Sequence, residues 1–375
     1  MLIMALDHVR DYFQVGALTS DPTNMATTTP ALFFTRWITH FCAPTFVFLS
    51  GISAYLAGTR RTKKQFSGFL MKRGLWLIVV ELLLITLALT LNPLYNVLVL
   101  QVIWVIGLSM IFLGLLIWLP KWITVSLAVL LFFGHNILDS MVLPQTGVSS
   151  VLLKVFLTAR GTVLPFDASH FVFVLYAVLP WTGVMLMGYL FGPLYNANFD
   201  AAKRKRLLLT ASATAFVLFV VLRYTNIYGD PAPWALQKNS IYTFLSFLNV
   251  SKYPPSLMYT CMTLSVSLLV LALTERGKGK VAAFFTTYGN VPFFYYMLHF
   301  YLIRLLTVVL FFAQGYKTSQ IITPNIPFLF TPPGFGYSLG GAYIIWLLII
   351  LTLYFPCRWY SQYKKTHSQW WLSYL

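Results

Sequence analysis

An all-α, polytopic integral membrane bundle of about ten transmembrane helices is the fold class this sequence predicts, on three observations. Hydrophobic residues fill 58% of the 375 positions and charged ones only 9%, whereas a soluble domain carries about a quarter charged residues. Water cannot solvate such a surface, so the bilayer is the solvent. The apolar residues also gather in runs near the length, about 20 residues, that crosses a hydrocarbon core as helix. Lastly, the basic residues cluster between those runs, on alternate loops.

The runs read at 36–58, 74–91, 98–119, 121–138, 169–192, 207–223, 254–274, 289–313 and 337–357. Met1–Phe13 is a further, short one; at about 1.5 Å per residue it spans roughly 20 Å. It has no basic start and ends in Asp7-His8-Val9-Arg10-Asp11, which argues against a secretory signal. The expectation is therefore a first helix truncated at its N-terminus, with sequence upstream of Met1. Pro44, Pro180 and Pro292 read as helix interruptions. Neither a repeat, a heptad pattern nor a low-complexity tract divides the chain, so residues 1–375 are expected to form a single transmembrane domain.

The formal net charge of +17 might have pointed to nucleic acid, but its placement excludes that reading. Nucleic-acid proteins gather Lys and Arg on one face or arm. Here Arg60, Arg61, Lys63, Lys64, Lys72 and Arg73 follow the second run, and Lys121 sits between the fourth and fifth. Lys203–Arg206 follow the sixth, Arg276, Lys278 and Lys280 the eighth, and Arg358, Lys364 and Lys365 the last. Those are 17 of the 26 basic residues, all on one side of the membrane. The positive-inside rule makes that side cytoplasmic and the topology N-in, C-in. Cys42, Cys261 and Cys357 lie in separate apolar segments and read as buried small residues; no metal motif is present.

Ionisable groups inside a membrane are costly, which makes each one a functional candidate. The first helix carries Asp7, His8, Arg10 and Asp11. Asp7, Arg10 and Asp11 share a helix face, and His8 reaches Asp11 at i+3. Arg36 and His40 lie one turn apart on the second helix, Glu81 and Gln101 on the third and fourth, His299 and Arg304 on the ninth. Alternating helix direction brings the Asp7–Asp11 cluster, Arg36 and His40 toward the outer half, His299 near the middle and Arg304 beyond it, with Asp167, His170 and Lys252 bordering the outer level. A His beside a carboxylate suits proton abstraction, and nearby Arg suits an anionic substrate or developing oxyanion. Set against this, an Arg10–aspartate pair that only fixes packing, and Glu81 as a plain bundle contact, stay open. His135 and His367, at helix or chain ends, read as incidental.

Several segments resemble the bacterial DUF1624 proteins: Leu6-Asp7-His8-Val9-Arg10-Asp11-Tyr12-Phe13, the stretch from Arg36-Trp37-Ile38-Thr39-His40 to Leu49-Ser50-Gly51, Lys252-Tyr253-Pro254-Pro255-Ser256-Leu257, and Gly289-Asn290-Val291-Pro292-Phe293 with Leu298-His299. These proteins are related to the heparan-α-glucosaminide N-acetyltransferase group of the transmembrane acyltransferase superfamily, and the resemblance covers nearly the whole chain. It implies a bacterial inner-membrane enzyme that moves an acetyl group from cytoplasmic acetyl-CoA to a sugar or envelope-glycan acceptor outside, without a metal. The superfamily places an Arg on its first helix, followed about three turns later by a His thought to be catalytic. His8 is similar to that His in position, and the matching Arg would fall before Met1. The N-acetyltransferase branch adds a His in its first outer loop; residues 14–35 hold none, and His40 is the nearest substitute.

The leading expectation is thus acyl transfer, with His8 as base, Asp7 or Asp11 orienting it, and His40 and His299 as further candidates for base or acyl carrier. Arg10, Arg36, Arg304 and Lys252 are the candidate substrate-binding residues. The rival is a proton-coupled transporter or flippase, in which Asp, Glu and His relay protons; a scaffold or sensor is third.

Overall fold

The computed structural model describes residues 1–141, 144, 146–158, 162–167, 169–275, 277–324 and 326–373. Arg276, one of the basic loop residues above, lies outside the described residues. In chain order the helices are α1 (Leu2–Phe13), α2 (Pro30–Thr39), α3 (Cys42–Gly58), α4 (Lys63–Val80), α5 (Thr86–Thr90), α6 (Val102–Leu116), α7 (Lys121–Phe133), α8 (Gly147–Leu153), α9 (Val178–Phe191), α10 (Ala201–Thr225), α11 (Ser240–Leu248), α12 (Leu257–Thr274), α13 (Lys280–Gly289), α14 (Pro292–Ala313) and α15 (Leu339–Thr366). A small sheet adds β1 (Val97–Leu100), β2 (Thr162–Pro165) and β3 (Phe171–Val174) in the order β1-β3-β2. Seven helical stretches among the described residues are long and apolar enough to cross a membrane, and shorter apolar helices include α6 and α7. The protein is a polytopic helical membrane protein.

Local sequence sets the helix starts. Thr62 and Gln65 close a reciprocal capping box at α4, and Asp200 and Ser256 accept from Lys203 N and Tyr259 N to open α10 and α12. Each bond satisfies one of the donors that a helix start leaves without an intrahelical partner.

Four expectations need correction. The run at 169–192 is not one helix: Phe171–Val174 pairs antiparallel with Thr162–Pro165, and α9 begins only at Val178. An apolar stretch with no polar alternation fits strand and helix equally, so its periodicity could not separate them. Lys203–Arg206 belong to the first turns of α10 rather than to a loop, and Arg204 is ion-paired with Glu275. The 36–58 run is two helices, α2 and α3, parting at His40 and Phe41. Finally, Pro44, Pro180 and Pro292 lie just after breaks in their apolar runs, at 40–41, 175–177 and 290–291, and not inside a helix. They sit in the first turns of α3, α9 and α14, where a missing N–H costs no hydrogen bond.

The chain divides into two compact units. The first comprises residues 1–42, 83–97 and 277–375. Its centre is α1, which packs against α2, α14 and α15. Met4, Ala5, Leu6, Val9, Tyr12 and Phe13 are all buried, and Asp7 and Arg10 are buried with them. Trp346 donates to Leu2 O at 2.8 Å, and Tyr337 N to Phe13 O at 2.7 Å.

The second unit comprises residues 43–82 and 98–276. Glycines let its helices touch backbone to backbone: a Cβ on Gly51 would stand 2.0 Å from Met185 O, and one on Gly188 1.9 Å from Phe48 O. Close approach of small residues is how helices associate where lipid supplies no hydrophobic drive. Ser109–Thr182 (2.8 Å) and Thr45–Ser267 (2.6 Å) add hydroxyl bridges between helices. Glu81, fully buried, accepts from Gln101 N (3.0 Å) and Trp104 N (3.2 Å). Its two carboxyl oxygens thereby cap the start of α6, where the first backbone N–H groups have no intrahelical partner. Glu81 is thus a contact between α4 and α6 within the bundle.

Candidate functional site

Six of the polar residues singled out above meet within the first unit. His8 and His299 join through Nδ1 and Nε2 at 2.7 Å, across 291 residues of chain. Phe300 stacks on His8 (centroids 4.3 Å apart), and Tyr295 lies parallel to His299 at 5.5 Å. His299, Tyr295 and Phe300 are almost wholly buried. His299 Nδ1 also lies 3.2 Å from Tyr295 O. A carbonyl only accepts, so in the neutral ring Nδ1 of His299 carries the proton and Nε2 accepts. His8 Nδ1 must then donate, which leaves the lone pair of neutral His8 on Nε2. The hydrogen bonds therefore fix His8 in the tautomer of a base.

Beside this pair lies a charge-balanced network of two carboxylates and two guanidiniums. Arg10 contacts Asp7 at 3.4 Å and Asp11 at 2.5 Å, and Arg36 from α2 contacts the other oxygen of Asp7. Asp7 and Arg10 are buried, so burial and pairing go together. The expected pairing of His8 with an aspartate gives way, in hydrogen bonding at Nδ1, to a pairing with His299, while Asp7 and Asp11 neutralise arginines. His40 caps α2 and is buried in the same unit.

Arg304 is 0% exposed. Its Nη2 donates to Leu329 O at 2.6 Å, and its guanidinium stands 4.5 Å over the Tyr12 ring. Its Nε and Nη1 have no hydrogen-bond partner among the described residues. Tyr12 in turn donates to Leu89 O at 2.7 Å.

The remaining candidates belong to the second unit. Lys252 lies over the Tyr253 ring at 5.1 Å. Asp167 and His170 close the β2–β3 turn: Asp167 accepts from the backbone N–H groups of Ser169 and His170, and the His170 ring joins it. The Ser169 backbone bond, then the His170 side chain, hold this exposed carboxyl below the usual range. His135, at the end of α7, has a structural place: its ring lies between Leu131 O and Pro255 O, at 2.8 and 2.7 Å. Arg60 and Arg61 line a cavity of about 950 Å³ with Gln65, Tyr195 and Asn196.

Sequence reasoning missed Tyr12, Tyr295 and Phe300, the rings that seat His8, His299 and Arg304. The signal was available in Tyr295-Tyr296 and His299-Phe300, where aromatics recur one turn apart beside the histidine.

The geometry is thus a histidine pair, with His299 buried and His8 partly so, beside paired charges in a multi-pass helical bundle. The heparan-alpha-glucosaminide N-acetyltransferase catalytic family model matches residues 14–225, more than half of the chain, and the chain belongs to that family. The matched stretch contains Arg36 and His40, while His8, His299 and Arg304 lie outside it. No curated protein matches the chain. Among the described residues, no group of three or more His, Cys, Asp or Glu is placed to hold a metal ion.

Proposed function

We propose that this protein transfers an acetyl group from acetyl-CoA to a hydroxyl or amine of a sugar or envelope glycan, with His8 as general base. The observation that carries the reading is the 2.7 Å His8–His299 bond in a member of this family. The acceptor's oxygen or nitrogen bonds to the acetyl carbon while its proton passes to Nε2 of His8. The carbon–sulfur bond then breaks, and the leaving thiolate takes the proton. His299 holds the tautomer, as the acidic member of a triad does elsewhere. Arg304 supplies positive charge at the site, with donors to spend on charge that develops in the reaction.

The acyl donor contributes an activated thioester and several phosphates. Arg60 and Arg61 suit those phosphates, because the residues lining their cavity include no carboxylate. The distribution of Lys and Arg supports N-in, C-in topology, and the resemblance to bacterial DUF1624 proteins suggests the inner membrane. Residues 59–62 would then face the cytoplasm and residues 14–29 the opposite side. Reporter fusions after Lys64 and after Pro231 should give opposite signals, and equal signals would refute the topology.

The test is label transfer from radioactive acetyl-CoA to an amino-sugar acceptor by the full chain in nanodiscs. His8→Ala should lower the rate by about 10²–10⁴, as loss of a general base does, with the melting curve unchanged. His299→Gln, whose amide oxygen still accepts from His8, should keep more activity than His299→Leu. Wild-type turnover in His8→Ala would overturn the assignment.

A further inference from the structure

Arg304 carries a charge that its own unit does not balance. The side chain is wholly buried, arginine keeps its proton in proteins, and a buried charge is ordinarily paired. The two carboxylates nearest the histidine pair are already engaged, Asp7 by Arg10 and Arg36 and Asp11 by Arg10. None of the chain's nine acidic residues is ion-paired with Arg304. Its compensation is one backbone carbonyl and the face of one aromatic ring.

The geometry of the guanidinium says what could complete it. Two of its edges can grip a two-oxygen anion with parallel N–H groups: Nη1 with Nη2, and Nε with Nη2. Nη2 has two protons, one on each edge, and one of them goes to Leu329 O at 2.6 Å. Both Nη1 and Nε have no partner among the described residues. Whichever proton Leu329 O takes, the opposite edge keeps both of its N–H groups. A complete two-donor fork is left inside the protein.

The surroundings suit a small guest. Tyr12 covers a face of the guanidinium, with its ring centroid 4.5 Å away, and so leaves the plane in which the fork points. The same tyrosine lines a cavity of about 130 Å³ together with Thr331 and Phe335, well below the several hundred Å³ of a drug-sized site. Asp11 also lines it, but Arg10 neutralises that carboxylate, so it sets no unbalanced negative charge in the way of an anion.

We infer that Arg304 is a binding site for a small carboxylate-like oxyanion, held in two-point contact by the free edge of its guanidinium. This goes beyond the proposed acyl transfer, in which Arg304 meets negative charge only as it develops; here a stable anion occupies the same donors. The binding stands without that reading, and only the inhibition predicted below rests on it.

The probe is sodium formate, the smallest carboxylate, compared with sodium chloride and sodium gluconate at equal ionic strength. The full chain in nanodiscs of zwitterionic lipid is melted in each salt. Formate should raise the melting temperature along a saturable curve, as a ligand of the folded state does. Chloride, a single point of charge, should need about tenfold more for the same shift, because it cannot give each donor its own oxygen. Gluconate bears the same carboxylate on a chain too bulky for a buried site and should give no saturable shift.

Arg304→Met should melt alike in the three salts. Its own melting point is read against the wild type in gluconate, where the partners of Arg304 are Leu329 O and the Tyr12 ring. Arg304→Lys keeps the charge without the fork and should lose the preference for formate over chloride. In the label-transfer assay, formate should inhibit the wild type over the concentration range in which it stabilises.

Equal responses of the wild type to formate and gluconate would overturn the inference, and that comparison needs no variant. So would a formate response that survives in Arg304→Met. Chloride acting as strongly as formate would overturn the two-point contact. Stabilisation that depends on Arg304 but brings no inhibition would instead overturn the part given to Arg304 in acyl transfer and leave the anion site standing.

Discussion

Arg223 and Arg304 are both hidden, at 1% and 0% exposure, and their surroundings treat them in opposite ways. Arg223, in the last turn of α10, spends its donors on four backbone carbonyls: Phe247 O, Ala232 O, Ser246 O and Asn249 O, all within 2.6–2.9 Å. It gathers the segment after α10 around one guanidinium. Arg304 has one carbonyl, one aromatic face and two nitrogens without a partner among the described residues. Buried polar groups are normally satisfied because an unsatisfied one costs about 1–3 kcal/mol, and more when charged. A saturated arginine thus marks architecture. An equally buried one left unsaturated, in the unit that holds the histidine pair, is where the proposed function expects stability to be given up.

The sharpest way to break this comparison is to substitute methionine at each position. Arg223→Met orphans four carbonyls at once and should destabilise the second unit by about 3–5 kcal/mol. Hydrogen exchange should show residues 226–250 losing protection first. If the variant melts like the wild type, Arg223 is not the anchor described.

Arg304→Met should do the reverse. Replacing a poorly compensated buried cation by an apolar side chain of similar length is neutral or stabilising, here by about 1–2 kcal/mol. Transfer should nevertheless fall by about 10²-fold, the scale of losing one electrostatic stabiliser. A thermal melt in detergent and the label-transfer assay, run on the same preparation, read both effects. A destabilised but active variant would place Arg304 with Arg223.

These two residues also show what the sequence can disclose. Arg304 was legible because it sits mid-run, where any charge is conspicuous. Arg223 closes a run and reads as an ordinary polar boundary; the one available signal is a basic residue in a last helical turn ahead of a loop rich in Gly and Pro. The polar cluster on α1 was legible for the same reason as Arg304, yet its internal pairing was not. Spacing along one helix reports neighbours at i+3 and i+4, so it linked His8 to Asp11. Which face of α14 meets α1 depends on packing, and packing gave His8 its bond to His299. The strands at 162–165 and 171–174 were hidden in uniformly apolar sequence, and the first-turn prolines looked like breaks until their helix starts were known.

The smallest effect separates the two contacts that Tyr12 makes. Its ring lies under the Arg304 guanidinium, and its hydroxyl donates to Leu89 O in the segment that carries α5. Tyr12→Phe keeps the aromatic face and removes only the hydroxyl, so it should cost about 1 kcal/mol of stability, the worth of one hydrogen bond with its acceptor left behind. Tyr12→Leu removes the face as well. A cation over an aromatic ring is worth about 0.5–2 kcal/mol depending on desolvation, and Arg304 is fully desolvated, so the leucine variant should lose roughly that much more. The second increment should vanish in an Arg304→Met background, because no cation remains for the ring to face. A double-mutant cycle on the melting free energies reads this coupling directly. Additive Tyr12→Leu and Arg304→Met effects would mean that the ring contributes only packing, and that what holds Arg304 in place is Leu329 O alone.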